Sequence, residues 1–167
     1  MKRLLCVMTL LAAVTPVGAQ EKPMGIQCEL SMPKQLPGGP GAELVFTLTN
    51  VGTNVLHVLK WQTPFESIAG PMFTVTRDGA DVEYHGRMLK RGNPRQQDYL
   101  VLKPGERQQA TIDLAEGWDV AAPGKYAVAY SSELFDVIAA PASAPRTRDE
   151  FKAVALSCNP VAFTRLR

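Results

Sequence analysis

Every second residue of Glu43-Leu-Val-Phe-Thr-Leu-Thr49 is large and apolar. Side chains alternate across an extended chain, so Leu44, Phe46 and Leu48 fall on one face, and Glu43, Thr47 and Thr49 on the other. That pattern predicts a half-buried antiparallel strand. The same period recurs along the chain. Phe73 and Val75 point one way in a strand that runs to the Asp78-Gly79 hairpin turn and on into Val82-Glu-Tyr84. Lys103-Pro-Gly-Glu106 forms a turn, after which Ala110, Ile112 and Leu114 alternate with Gln109, Thr111 and Asp113. Pro123-Gly124 opens a strand with Tyr126, Val128 and Tyr130 on one face. Val55 to Trp61 differs from these. It is apolar on both faces, which predicts a central strand.

About 7–9 short strands with turns between them predict an all-β, immunoglobulin-like antiparallel β-sandwich. Between Leu114 and Tyr126 a strand ends, the chain crosses over through Trp118, and Pro-Gly-x-Tyr opens the next strand. A tyrosine corner occupies that place in such sandwiches, so Tyr126 is expected to close it with its hydroxyl. Ser132 to Glu150 breaks the period. Its Pro/Ala-rich part, 139–145, reads as an extended loop. Thr147-Arg-Asp-Glu150 has the spacing that caps a short helical turn near 147–152. Ala153–Cys158 and Val161–Thr164 read as a last strand interrupted at Pro160.

The first 19 residues read as a signal peptide. Lys2 and Arg3 precede an apolar run from Leu4 to Val14, and Val17-Gly18-Ala19 supplies small residues for cleavage before Gln20. Cys6 lies inside this segment without a lipobox-like context, so a released protein is expected, periplasmic or secreted. No later apolar stretch is long enough to span a bilayer. Residues 20–167 suit a single domain, expected to be a monomer. Removing Lys2 and Arg3 from the 18 Lys+Arg leaves 16 against 16 Asp+Glu. A neutral mature chain gives no case for nucleic acid or for an anionic membrane. Cys28 and Cys158 survive cleavage. In an exported chain they favour one disulfide, which closes about 130 residues and contributes ~3–5 kcal/mol on chain entropy. The alternative is two unpaired buried thiols.

Catalytic chemistry finds no constellation. The two histidines, His57 and His85, fall short of a zinc site and read as strand and turn residues. No Gly-x-Ser-x-Gly elbow occurs. Pro37-Gly-Gly-Pro-Gly41 has prolines where a phosphate cradle needs free N–H groups, so it reads as a loop. No cofactor is expected, and the chain is read as a non-enzyme. Two segments remain as candidates for partner binding. One runs from Arg87 to Tyr99, where Lys90, Arg91, Pro94, Asp98 and Tyr99 combine cations, a turn and an aromatic anchor. Its bland reading is a solvated loop in which Asp98 pairs with Lys90 or Arg91. The other is Trp61-Gln-Thr-Pro-Phe65, where Trp61 is assigned to packing and Phe65 either packs or faces a partner.

Several ordered pieces carry a resemblance. They are Leu48-Thr-Asn-x-Gly, Val58-Leu-Lys-Trp-Gln-Thr-Pro-Phe65, Phe73-x-Val-x-Arg-Asp-Gly79, Val82-x-Tyr84, Lys90-Arg91-x-x-Pro94-x-x-x-Asp98-Tyr99, Leu102-x-Pro-Gly105 and Gly124-x-Tyr126-x-Val128. Their order and spacing across Leu30 to Ser131 resemble the N-terminal, non-catalytic region of bacterial deuterolysin-type zinc endopeptidases, including the peptidyl-Lys enzymes. In that family a catalytic domain with His-Glu-x-x-His follows, and this sequence has no counterpart of it. The resemblance implies a sandwich in a secretory setting and a module that binds or inhibits a secreted zinc peptidase. A structural or adhesive periplasmic domain without such a partner is the alternative.

Overall fold

A computed structural model describes residues 25–167. The expected signal peptide, with Cys6 and the expected cleavage position before Gln20, lies outside the described residues. Thirteen strands follow in order: β1 Ile26–Ser31, β2 Gln35–Leu36, β3 Glu43–Asn50, β4 Leu56–Leu59, β5 Phe73–Arg77, β6 Ala80–Asp81, β7 Tyr99–Leu102, β8 Arg107–Asp113, β9 Gly124–Tyr130, β10 Glu133–Leu134, β11 Val137–Ala139, β12 Val154–Ala155 and β13 Val161–Arg165. Eight of them have four or more residues, in line with the sandwich count expected from the alternation. Short 3₁₀ turns occur at Gln96–Asp98, Leu114–Glu116 and Arg148–Glu150.

The strands form three larger sheets, ordered β1-β3-β8, β11-β4-β7 and β2-β13-β9-β5-β6, and one small pair, β10-β12. All neighbours are antiparallel except β13 and β2, which pair in parallel through Thr164–Gln35 and Arg165–Leu36. The inward faces of the three sheets share one core. Leu44, Phe46 and Leu48 of β3 meet Val58 of β4, Phe73 and Val75 of β5, and Tyr126 and Val128 of β9. Burying alternate residues of every sheet against the others is what stabilises this architecture, at roughly 1.5–3 kcal/mol per large apolar side chain. Phe46 sits at the centre of an aromatic group, 5.8 Å from Phe65 and 5.5 Å from Tyr130 between ring centroids.

β4 lies between β11 and β7, as its two apolar faces predict. Its outer face has a core of its own. Leu56 and Val58 enter the main core, whereas Leu59 joins Trp61, Tyr99 and Ile138 in a second buried group. Register explains the grouping, because Leu59 pairs with Tyr99 and His57 with Ile138 across the sheet. Phe135, Ala144 and Phe151 pack over this second group. The Pro/Ala-rich stretch and the 3₁₀ turn at Arg148–Glu150 therefore form part of a cover for the outer face of β4. The sequence pattern predicts only an extended loop and a helical turn there.

Side chains close the turns and edges. The Tyr126 hydroxyl donates to the Ala122 carbonyl at 2.7 Å, the bond a tyrosine corner requires. Asp78 and Gly79 both have positive φ, 52° and 86°, which a two-residue hairpin between β5 and β6 demands. Asn50 ends β3 fully buried. Its Nδ2 donates to the carbonyls of Asn54 (2.8 Å) and Leu102 (2.9 Å), and its Oδ1 accepts from the Gly52 N–H. A disulfide joins Cys28 to Cys158 with Cα atoms 4.7 Å apart. One residue later, the Asn159 amide exchanges two bonds with the Leu30 backbone (3.0 and 2.9 Å) and covers the outer edge of β1. Arg165 is buried on β13 and holds the Pro37–Gly41 loop through the Pro37 and Gly41 carbonyls, both at 2.9 Å.

Candidate functional site

The cover over β4 is held by one buried carboxylate. Asp136, fully buried, stands between Phe135 and β11. Its Oδ2 accepts from the Tyr99 hydroxyl at 3.0 Å, and its Oδ1 accepts from Arg146 Nη1 at 3.0 Å and from the Lys152 N–H at 3.2 Å. Its own carbonyl accepts from the Leu59 N–H. Sheet, cover and carboxylate are thus tied together. A charge removed from water persists only when paired and hydrogen-bonded, and Asp136 meets both conditions. Burial is the main cause that pushes the Tyr99 hydroxyl up to about 12, with the neighbouring Asp136 carboxylate adding to it.

At the end of this cover lies an open groove of about 660 Å³. Trp61, Phe135 and Phe151 supply aromatic walls, and Leu89 adds an aliphatic one. Lys90, Arg91 and Arg148 line it with positive charge, and no carboxylate lines it. Phe151 meets Trp61 edge-on at 6.1 Å between centroids, and the Arg91 guanidinium lies over the Trp61 ring at 5.2 Å. Arg91 also makes a two-pronged ion pair with Glu66, whose Oε1 accepts at 2.8 Å. Arg148 is fixed by donating to the Arg91 carbonyl (2.7 Å), while its own N–H donates to Asn93 Oδ1 (3.2 Å). Thr147 begins the 3₁₀ turn that carries it. There the Thr147 N–H and hydroxyl both donate to Glu150, at 2.9 and 2.8 Å, and hold that carboxyl below its usual range. Trp61 is buried, and its Nε1–H finds no acceptor among the described residues.

The structure divides the residues singled out from the sequence. Lys90 and Arg91 reach the groove. Pro94 and Tyr99 are buried, so Tyr99 belongs to the second core and is no aromatic anchor for a partner. Asp98 pairs with neither Lys90 nor Arg91; its carboxylate accepts from the Arg95 N–H at 2.6 Å and closes the turn at Gln96–Asp98. Arg91 instead takes Glu66, which the linear sequence places 25 residues away. Phe65 is half-buried against Phe46 and does not line the groove. Trp61 packs, in the second core and at the groove wall. His57 lies on β4 and His85 in the loop after β6. Sequence reasoning missed Asp136, Arg146, Phe135 and Phe151. The available signal was Phe135-Asp-Val-Ile138, a lone acid inside an apolar run.

Among the described residues no group of three or more His, Cys, Asp or Glu is placed to hold a metal ion, and no helix is long and apolar enough to cross a membrane. No protein-family model matches the chain. Over 84 residues, half of its length, the chain is 39% identical to an extracellular protease of Aeromonas hydrophila. Over 96 residues, 56% of its length, it is 30% identical to a neutral protease 2 homolog of Uncinocarpus reesii. The aligned segments make up 24% and 27% of those relatives, so the chain matches about a quarter of each. Among solved structures it is similar to a CARDB domain from Pyrococcus furiosus, with 13% identity, a TM-score of 0.38, and coverage of 85% of this chain and 94% of that one. It is also similar to a PapD-like domain of human CEP192, with 11% identity, a TM-score of 0.37, and coverage of 95% and 99%.

Proposed function

We propose that this chain is an exported, non-catalytic β-sandwich that binds a secreted peptidase, and that it is related to a peptidase's accessory region. One observation carries the reading: half of the chain is 39% identical to a segment that makes up 24% of an extracellular protease. A segment of that share is a part of the relative, and the chemistry of the whole does not come with it. The side chains here agree with a binding role. Tyr99 and Arg146 are committed to Asp136, and the groove beside them combines apolar walls with cations. A module that shares the scaffold of a peptidase's accessory region is built to meet the surface such a region meets.

The test is direct. The protein is immobilised, and a purified extracellular zinc endopeptidase of the relatives' kind is passed over it, with its activity assayed at rising concentrations of the protein. Saturable binding at micromolar concentration or below supports the reading. Absence of binding to any such peptidase would leave the structural or adhesive alternative. Metal analysis of the purified protein gives a second check, since one zinc per chain contradicts a non-catalytic module.

A further inference from the structure

We infer that the groove walled by Trp61, Phe135, Phe151 and Leu89 is a peptide-binding site for an acidic, apolar protein segment. The occupant places an apolar side chain against the aromatic walls and a carboxylate against Arg148 and Lys90. The inference rests on the binding-module reading and names the surface and the chemistry it uses.

Charge selects the occupant. Three cations line the groove and no carboxylate does. Glu66 neutralises one of them, Arg91, in a two-pronged pair. Lys90 and Arg148 make no ion pair among the described residues. Arg148 is nonetheless held in place by its bond to the Arg91 carbonyl and by the capped 3₁₀ turn beneath it. A guanidinium held in position before binding loses little freedom when it meets a carboxylate, and it adds direction to the contact. A basic segment would meet these cations unscreened.

The walls select for an apolar neighbour. Trp61 and Phe151 present a rigid edge-to-face pair backed by the second core. Beside them the loop after β6 exposes two large apolar side chains, Met88 at 71% and Leu89 at 45%. Adjacent exposed apolar residues at the mouth of an aromatic groove fit an interface better than a solvated loop. That loop is not loosely tethered: the Tyr84 hydroxyl donates to the Arg87 carbonyl at 2.6 Å and accepts from the Gly70 N–H at 3.0 Å. The groove is therefore bounded on both sides by anchored backbone.

Fluorescence anisotropy with three labelled heptapeptides tests the assignment. One alternates Leu and Glu, one Leu and Lys, and one Ser and Glu. The full protein is expected to bind the first in preference to the other two. Arg148→Glu, Lys90→Glu and Leu89→Asp, all at exposed positions, are expected to weaken that binding about tenfold or more while leaving the unfolding midpoint in place. Arg148→Glu is further expected to gain affinity for the Lys peptide. Equal binding of the acidic and basic peptides, unchanged binding in all three variants, or no saturable binding of any peptide would overturn the groove. Running the variants against the peptidase separates the two ideas. Peptidase binding that survives all three overturns the groove alone, whereas a wild-type protein that binds the Leu/Glu peptide but no peptidase overturns the module reading and leaves the groove standing.

Discussion

Asn50 shows how much one side chain can organise. Its amide satisfies the Leu102 carbonyl of β7, in the neighbouring sheet, and two backbone groups of its own turn. Asn50→Ala leaves the Leu102 carbonyl without this buried donor and frees the two turn groups, so a loss of about 1–3 kcal/mol in denaturant unfolding is expected. Asp136 is the second such residue. Arg146→Ala removes its only ionic partner among the described residues and leaves the carboxylate buried with the Tyr99 hydroxyl and the Lys152 N–H. Breaking a buried pair in this way costs about 3 kcal/mol. Tyr99 adds a pH dependence with a definite sign. Its folded value, about 12, lies above the ordinary tyrosine value of 10.0. The protonated hydroxyl is therefore favoured in the folded state, and the stability it contributes is complete below pH 10.0 and lost as pH rises toward about 12. Tyr130 is raised in the same direction by burial. Tyr99→Phe should thus flatten the alkaline fall in unfolding free energy without abolishing it; an unchanged slope contradicts the Asp136–Tyr99 assignment.

At the scale of elements, the sandwich strands were legible and the cover was not. Alternation over Glu43–Thr49 marks β3 because a sheet with one buried face needs period two. Asp78-Gly79 marks the β5–β6 hairpin because only a few residue types adopt positive φ in succession. Val55–Trp61 reads as central through its two apolar faces, yet the sequence does not say what covers the outer one. The cover consists of Phe135, Ala144 and Phe151, held by long-range bonds to Asp136, and such bonds leave no local period. The same reason hides the pairing of Arg91 with Glu66. Lys90 and Arg91 were legible as candidates from composition, whereas Tyr99 reads as exposed only because its partner Asp136 lies 37 residues away. The chain ends follow a similar logic. The Cys28–Cys158 bond and the Asn159 amide both fasten the C-terminal stretch to β1. Reduction of the disulfide is expected to cost ~3–5 kcal/mol on loop entropy. An unfolding midpoint unmoved by reductant contradicts that contribution.

The whole molecule is organised at three levels. A shared core makes a stable sandwich. A second core on the outer face of β4 carries a cover pinned by Asp136. The edge of that cover forms an aromatic, cationic groove, for which we propose a secreted peptidase as partner, from the similarity of half the chain to part of an extracellular protease. Hydrogen exchange of the full protein, free and saturated with a secreted peptidase of the relatives' kind, tests this union most directly. The account predicts that the peptidase slows exchange at the amides of Leu89–Arg91 and Arg148–Ala153 and leaves the outer edges of β1 and β8 unchanged. Protection confined to those edges, with the groove amides exchanging as in the free protein, would contradict it.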